Sequence, residues 1–121
     1  MNEKKLKLLV VDDSVINQKL AKALLEKLEH AVDIASNGLE ALDLALKNEY
    51  DIIFMDIHMP ELDGIEATKK IRDNGKSMPV IAMSGDEPDN KFSDWQNAGM
   101  TDFLSKPYSI DKISDIIKKW I

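Results

Sequence analysis

A nearly unbroken apolar run, Leu6, Leu8, Leu9, Val10 and Val11, stops abruptly at two aspartates, Asp12 and Asp13. A strand with no polar alternation has no face to offer water, so it belongs inside a sheet covered on both sides. The chain that follows alternates to match. From about Val15 to Glu29 the period becomes helical, with Ile16, Leu20, Ala23, Leu24 and Leu28 on the stripe expected to face inward. Ala31, Val32, Ile34 and Ala35 read as a short strand interrupted by Asp33. Asn37 and Glu40 have capping-box spacing and open a helix through about Lys47, with Leu39, Leu42 and Leu46 expected inward.

The alternation continues. Asp51–Met55 is a dense apolar strand, and Asp63 with Glu66 repeats the capping arrangement before a helix to about Asp73. Pro79–Met83 is a fourth strand, and a helix near Asn90–Ala98 is closed by Gly99. Thr101–Leu104 is a fifth strand, with a last helix over about Ser109–Lys119. Right-handed crossovers then predict an α/β architecture, one parallel sheet between two layers of helix. With 121 residues, 44% of them hydrophobic, there is material for one core and one domain, residues 1–121.

Charge and composition exclude several functions. A net charge of -6 gives no electrostatic help in reaching a nucleic-acid backbone. The absence of cysteine removes disulfide and thiolate chemistry but leaves oxygen-ligated metals open. The first apolar run ends too soon for a signal peptide or a membrane span, so a cytoplasmic setting is expected. Almost no tail follows the last helix, and an output domain is expected to be missing from this sequence.

The chemistry-bearing residues fall at strand ends. Asp12 and Asp13 follow the first strand, Asp56 the third, Ser84 the fourth and Lys106 the fifth. In a parallel sheet these points share the carboxyl edge, where ligands bind at the reversal of strand order. Each residue also has a plainer role: a helix cap for Asp12 or Asp13, a turn for Asp56 or Ser84, a solvated lysine for Lys106. Their convergence favours function. Three gathered carboxylates repel one another, and an oxygen-only set points to magnesium. Asp56 would then be a nucleophile toward phosphorus, with Lys106 and Ser84 contacting the phosphate oxygens. From these residues alone the reading stops at magnesium and phosphate, or another anion.

The sequence VVDDS at 10–14, FMDIHMPELDG at 54–64, VIAMSG at 80–85 and AGMTDFLSKP at 98–107 resembles the receiver domains of two-component signalling over about Leu6–Ile117. Residues 17–42 further resemble receivers attached to hybrid histidine kinases. The resemblance implies a flavodoxin-like (βα)5 fold with strand order 2-1-3-4-5 and phosphorylation on Asp56. It implies Mg2+ held by Asp12, Asp13, Asp56 and the main-chain carbonyl of His58. Ser84 would be the switch hydroxyl, Lys106 the phosphate-contacting lysine and Phe103 the aromatic whose rotamer follows Ser84. The implied donor is a histidine kinase or histidine phosphotransfer protein. Output would pass through the face near the fourth helix, fifth strand and fifth helix, and the only catalysis would be self-phosphorylation and autodephosphorylation.

Departures from the family pattern are Gly85, often alanine, and a polar segment carrying Pro88. Glu29 stands where many hybrid receivers have glycine, so the turn there must differ or bear strain. His30 reads as an exposed turn residue, and Trp95 and Trp120 as partly buried or as interface anchors. Two other functions fit the sequence less well. A phosphorylation-independent binding module conflicts with the intact Asp12, Asp13, Asp56, Ser84 and Lys106. An aspartyl-phosphate hydrolase would need the D-x-D nucleophile motif, where this chain has Asp56-Ile57-His58.

Overall fold

The computed structural model describes residues 5–57, 64–84, 92–105 and 109–121, with side chains of 92–94 left aside. The apolar runs form strands β1 (Lys7–Val11), β2 (Ala31–Ala35), β3 (Ile52–Asp56), β4 (Val80–Ser84) and β5 (Asp102–Ser105). Helices α1 (Val15–Lys27), α2 (Gly38–Lys47), α3 (Gly64–Asp73), α4 (Phe92–Ala98) and α5 (Ile110–Trp120) alternate with them. All pairings are parallel, and the order is β2-β1-β3-β4-β5. Strand order therefore reverses between β1 and β3, the point at which such sheets open a crevice.

The sheet is covered on both faces, as the uninterrupted β1 demands. Leu9, Val11, Ile53, Met55, Val80 and Ala82 pack with Ala41 and Ala45 of α2, Ala67 and Ile71 of α3, and Trp95 of α4. On the other face Leu8, Val10, Ile52, Phe54, Ile81 and Met83 meet Ala21 and Leu25 of α1 and Ile113 and Ile117 of α5. Trp95 is thus core, while Trp120 is partly exposed and donates from Nε1 to Asp102 Oδ2 at 2.8 Å, tying the end of α5 to β5. Among the described residues no helix is long and apolar enough to cross a membrane.

Two helices turn differently from expectation. On α1 the buried residues are Ala21 and Leu25, whereas Ile16 is 78% exposed and Leu20 38%. On α2 Gly38, Ala41 and Ala45 are buried, and Leu39 and Leu46 are exposed. Alanine and leucine stripes share the helical period and differ only in azimuth. The small residues let each helix approach the sheet closely, and Ile16, Leu20, Leu39 and Leu46 are left on the outside, while Leu24, Leu28 and Leu42 pack partly buried against the core as expected. His30 is half-buried, not exposed: its Nδ1 accepts from Leu6 N–H at 3.1 Å, which joins the end of α1 to the start of β1.

The capping pattern at α2 is reciprocal. Asn37 accepts from Glu40 N–H at 2.9 Å, and Glu40 Oε1 accepts from Ser36 N–H at 2.6 Å, one residue earlier than the standard box. Asp63, expected to open α3, lies outside the described residues.

The turn after α1 bears the strain anticipated at Glu29, which has φ 68°. Its N–H donates to Glu26 O at 2.8 Å while His30 N–H donates to Leu25 O at 3.2 Å, so the αL conformation is what closes the helix. A Cβ there costs about 1–2 kcal/mol. Glu29→Gly is expected to stabilise the protein by roughly 0.5–1 kcal/mol, after the extra freedom glycine gives the unfolded chain. Urea unfolding checks it, and a lower midpoint in the variant would contradict the strain.

Candidate functional site

The reversal of strand order brings the acidic residues together. Val11 pairs with Met55, so Asp12 leaves β1 beside Asp56, which is the last residue of β3 and not the first residue after it. One carboxylate oxygen from each of Asp12, Asp13 and Asp56 lies within 4.8 Å of the others. Asp12 and Asp56 are buried at 0% and 2% exposure, and Asp13 is exposed on the rim. For the buried pair, ionised, such a separation corresponds to about 3.5 kcal/mol of repulsion at an effective dielectric of about 20. Oxygen-only donors on a closed floor with one open side suit a hard divalent cation that keeps part of its water.

The aspartates are not helix caps. Ser14 caps α1, its Oγ accepting from Asn17 N–H at 3.3 Å, and Asp12 Oδ1 instead accepts from Ser14 N–H at 2.9 Å. That bond turns one carboxylate oxygen of Asp12 toward the loop. Asp12 N–H donates to Ala35 O at 3.1 Å, and Gln18 Nε2 donates to Asp12 O at 2.6 Å.

Ser84, buried at 4%, ends β4 one residue beyond Met83, the partner of Asp56. Phe103 on β5 is level with Ala82, two residues back along β4 on the same sheet face, and packs against the core that includes Ala82. The switch hydroxyl and the aromatic ring implied by the resemblance are therefore close along adjacent strands. β5 ends at Ser105, opposite Ser84. Lys106, the next residue in the chain, lies outside the described residues, as do His58, Gly85 and Pro88.

One residue at this site carries no obvious chemical signal. Gly64 opens α3 directly against Asp56: a Cβ added there would press on the Asp56 carbonyl oxygen, 3.0 Å from its carbon and 2.9 Å from Met55 Cγ. Thr68, buried one turn on, donates from Oγ1 to Gly64 O at 2.7 Å and holds the helix start in place. Gly64 closes the motif FMDIHMPELDG, yet only the fold reveals that its missing side chain is what lets α3 approach Asp56.

Residues 8–118 match the family model described as the response regulator receiver domain. The chain belongs to the receiver family. Domains of this family are phosphoacceptor modules of two-component signalling, and domains of this class carry out only their own phosphorylation and dephosphorylation. A probable histidine kinase 1 from Oryza sativa subsp. indica is 35% identical over 97% of this chain, which spans 16% of that kinase. The receiver domain of a sensor histidine kinase from Pseudomonas aeruginosa PAO1 is 33% identical, with TM-score 0.88 over 97% of this chain and 98% of that one. Its structure has a magnesium ion coordinated in the active site cleft. The Saccharomyces cerevisiae Ssk1 receiver domain, solved with the histidine phosphotransfer protein Ypd1, is 32% identical, with TM-score 0.85 over 96% of this receiver and 88% of that chain.

Proposed function

We propose that this receiver accepts a phosphoryl group on Asp56 from a phosphohistidine donor, with Mg2+ held by Asp12, Asp13, Asp56 and the main-chain carbonyl of His58. The observation that carries the reading is the gathering of three carboxylates from adjacent strand ends within 4.8 Å. In the transfer an Asp56 oxygen attacks phosphorus and the donor P–N bond breaks. Its electron pair stays on the imidazole, which takes up a proton, and an acyl phosphate forms. Bound Mg2+ would supply positive charge beside the phosphoryl oxygens. Ser84 donates a hydrogen bond to one phosphate oxygen and Lys106 supplies a second positive charge. Water later hydrolyses the acyl phosphate and restores Asp56.

The donor surface is α1. Val15 and Ile16, at 60% and 78% exposure, begin the helix three and four residues past Asp12, and Leu20 continues the apolar strip beside exposed Lys19 and Lys22. An apolar centre with basic flanks, beside the phosphoacceptor, suits a histidine phosphotransfer protein whose own apolar patch has an acidic rim. The Ssk1 receiver, solved with a histidine phosphotransfer protein, supports that choice of partner. Output passes through the face of α4, β5 and α5, reached from Ser84 by way of Phe103. Residues 1–121 act as one receiver domain in a cytoplasmic setting.

Incubation with acetyl phosphate and Mg2+ is expected to add a single phosphoryl group, seen by intact-protein mass spectrometry, and excess EDTA is expected to abolish it. Labelling that persists at the same rate in EDTA would remove the metal from the reading.

A further inference from the structure

We propose that Gln18 is a positioning residue for the acidic site: its side-chain amide fixes the peptide joining Asp12 to Asp13, so that the pair stands ready for a divalent cation. The inference rests on the reading of Asp12, Asp13 and Asp56 as a Mg2+ site.

Gln18 lies in the first turn of α1, its N–H donating to Ser14 O at 2.9 Å. Side chains on a helix lean toward its N-terminus, so a long residue here reaches back over the turn that precedes the helix. Nε2 meets Asp12 O at 2.6 Å and Ser36 Oγ at 3.2 Å. A carbonyl only accepts, so the group facing it must be the NH2 end of the amide. One side chain thereby ties the loop after β1 to the loop after β2. The second loop is itself held, since Ser36 N–H donates to Glu40 Oε1.

With this bond, three groups of Asp12 are engaged at once. Its N–H is bound to Ala35 O, its Oδ1 receives Ser14 N–H, and its C=O receives Gln18. The C=O belongs to the peptide plane whose far side carries Asp13. Without the amide that plane is free to rotate, and repulsion from Asp12 and Asp56 gives Asp13, already on the exposed rim, a reason to swing outward. A cation would then have to draw Asp13 back before binding, and the reordering weakens affinity. Gln18 touches no metal in this arrangement. It acts through the main chain, as the partners that orient metal ligands generally do.

The test replaces the amide by an apolar group of similar shape, Gln18→Leu. Mg2+ is titrated into the full chain, freed of metal, while Asp13 and Ser14 amide resonances are followed by NMR, and urea unfolding in EDTA reports folding separately. A purely structural role would lower the urea midpoint without changing the affinity of the folded protein. The expected result is a Mg2+ dissociation constant raised about fivefold, roughly the worth of one hydrogen bond. Ser36→Ala, which keeps the bond to Asp12, is expected to remain within about twofold of wild type. Unchanged affinity in Gln18→Leu overturns the proposal, as does an equal loss in Ser36→Ala. If wild type itself binds no Mg2+, the reading of the acidic site falls and the role of Gln18 falls with it.

Discussion

Asp56→Asn is expected to take up no phosphoryl group from acetyl phosphate while gaining stability in the absence of metal. The two effects have one source. A carboxamide nearly matches the carboxylate in shape, so β3 keeps its pairing with β1 and β4 at Met55, and with β4 at Asp56. It has no anionic oxygen to attack phosphorus, and acyl phosphate formation stops. Asp56 is 2% exposed and lies within 4.8 Å of two further carboxylates, so the substitution also removes a buried charge from a repelling group. The pairwise repulsion, about 3.5 kcal/mol at an effective dielectric of about 20, sets the scale of the relief. Burying the amide and altering the other contacts of Asp56 offset much of it, which leaves a net gain of about 1 kcal/mol. Mg2+ affinity falls in the same variant, because one of three anionic ligands is lost. Intact-mass labelling, urea unfolding in EDTA and Mg2+ titration measure the three consequences. Labelling of the variant at the wild-type rate would place the acceptor elsewhere.

The opposite signs expected for stability and for labelling show how the site relates to the fold. The sheet is stable enough to hold three acids together that would separate if they were free. Much of this was legible in the sequence. The uninterrupted β1 predicted a doubly covered parallel sheet, and such a sheet sends every strand's carboxyl end to one edge. Asp12, Asp13, Asp56 and Ser84 could therefore be gathered from sequence although they span residues 12 to 84.

What escaped has a physical reason in each case. The buried stripes of α1 and α2 were misplaced in part, because Ile16, Leu20 and Leu39 keep the same period as Ala21, Leu25 and Ala41, whereas Leu24, Leu28 and Leu42 do pack against the core. Period gives the helix but not its rotation about its own axis. Which stripe faces the sheet is decided by how closely the two surfaces can meet, and hydrophobicity alone ranks leucine first. The unused leucines and Ile16 then become an exposed surface, on α1 beside the site. Gln18 escaped because a neutral amide has no charge or motif to mark it, and its partners, Asp12 O and Ser36 Oγ, belong to two separate loops. Glu29 was legible because a left-handed position shows in the residue that replaces glycine.

Gly64→Ala is expected to destabilise the protein by about 1–3 kcal/mol and to slow labelling of Asp56 at least tenfold. Helix propensity argues the other way, since alanine is better than glycine inside a helix by about 1 kcal/mol. The close approach to β3 outweighs it. The new methyl would meet the Asp56 carbonyl, with the carbonyl carbon at 3.0 Å and Met55 Cγ at 2.9 Å. Met55 can change rotamer only within a packed core, where its exposure is 0%. The Asp56 backbone can yield only by straining β3, which lies between β1 and β4 and is bonded to both. The other way out is for α3 to lift from the sheet. That withdraws Ala67 and Ile71 from the core, while the Thr68 bond to Gly64 O, internal to α3, moves with the helix. If α3 lifts, stability falls and the phosphoacceptor is largely spared. If β3 gives way, Asp56 moves relative to Asp12 and Asp13, and labelling slows beyond what the unfolded fraction explains. The backbone contact favours the second course, because the methyl points at the carbonyl of the reacting residue itself. Urea unfolding and the labelling rate of the folded fraction separate the two. A variant with a lowered midpoint but an unchanged labelling rate would show that α3 moves alone, and that Gly64 serves packing without setting the position of Asp56.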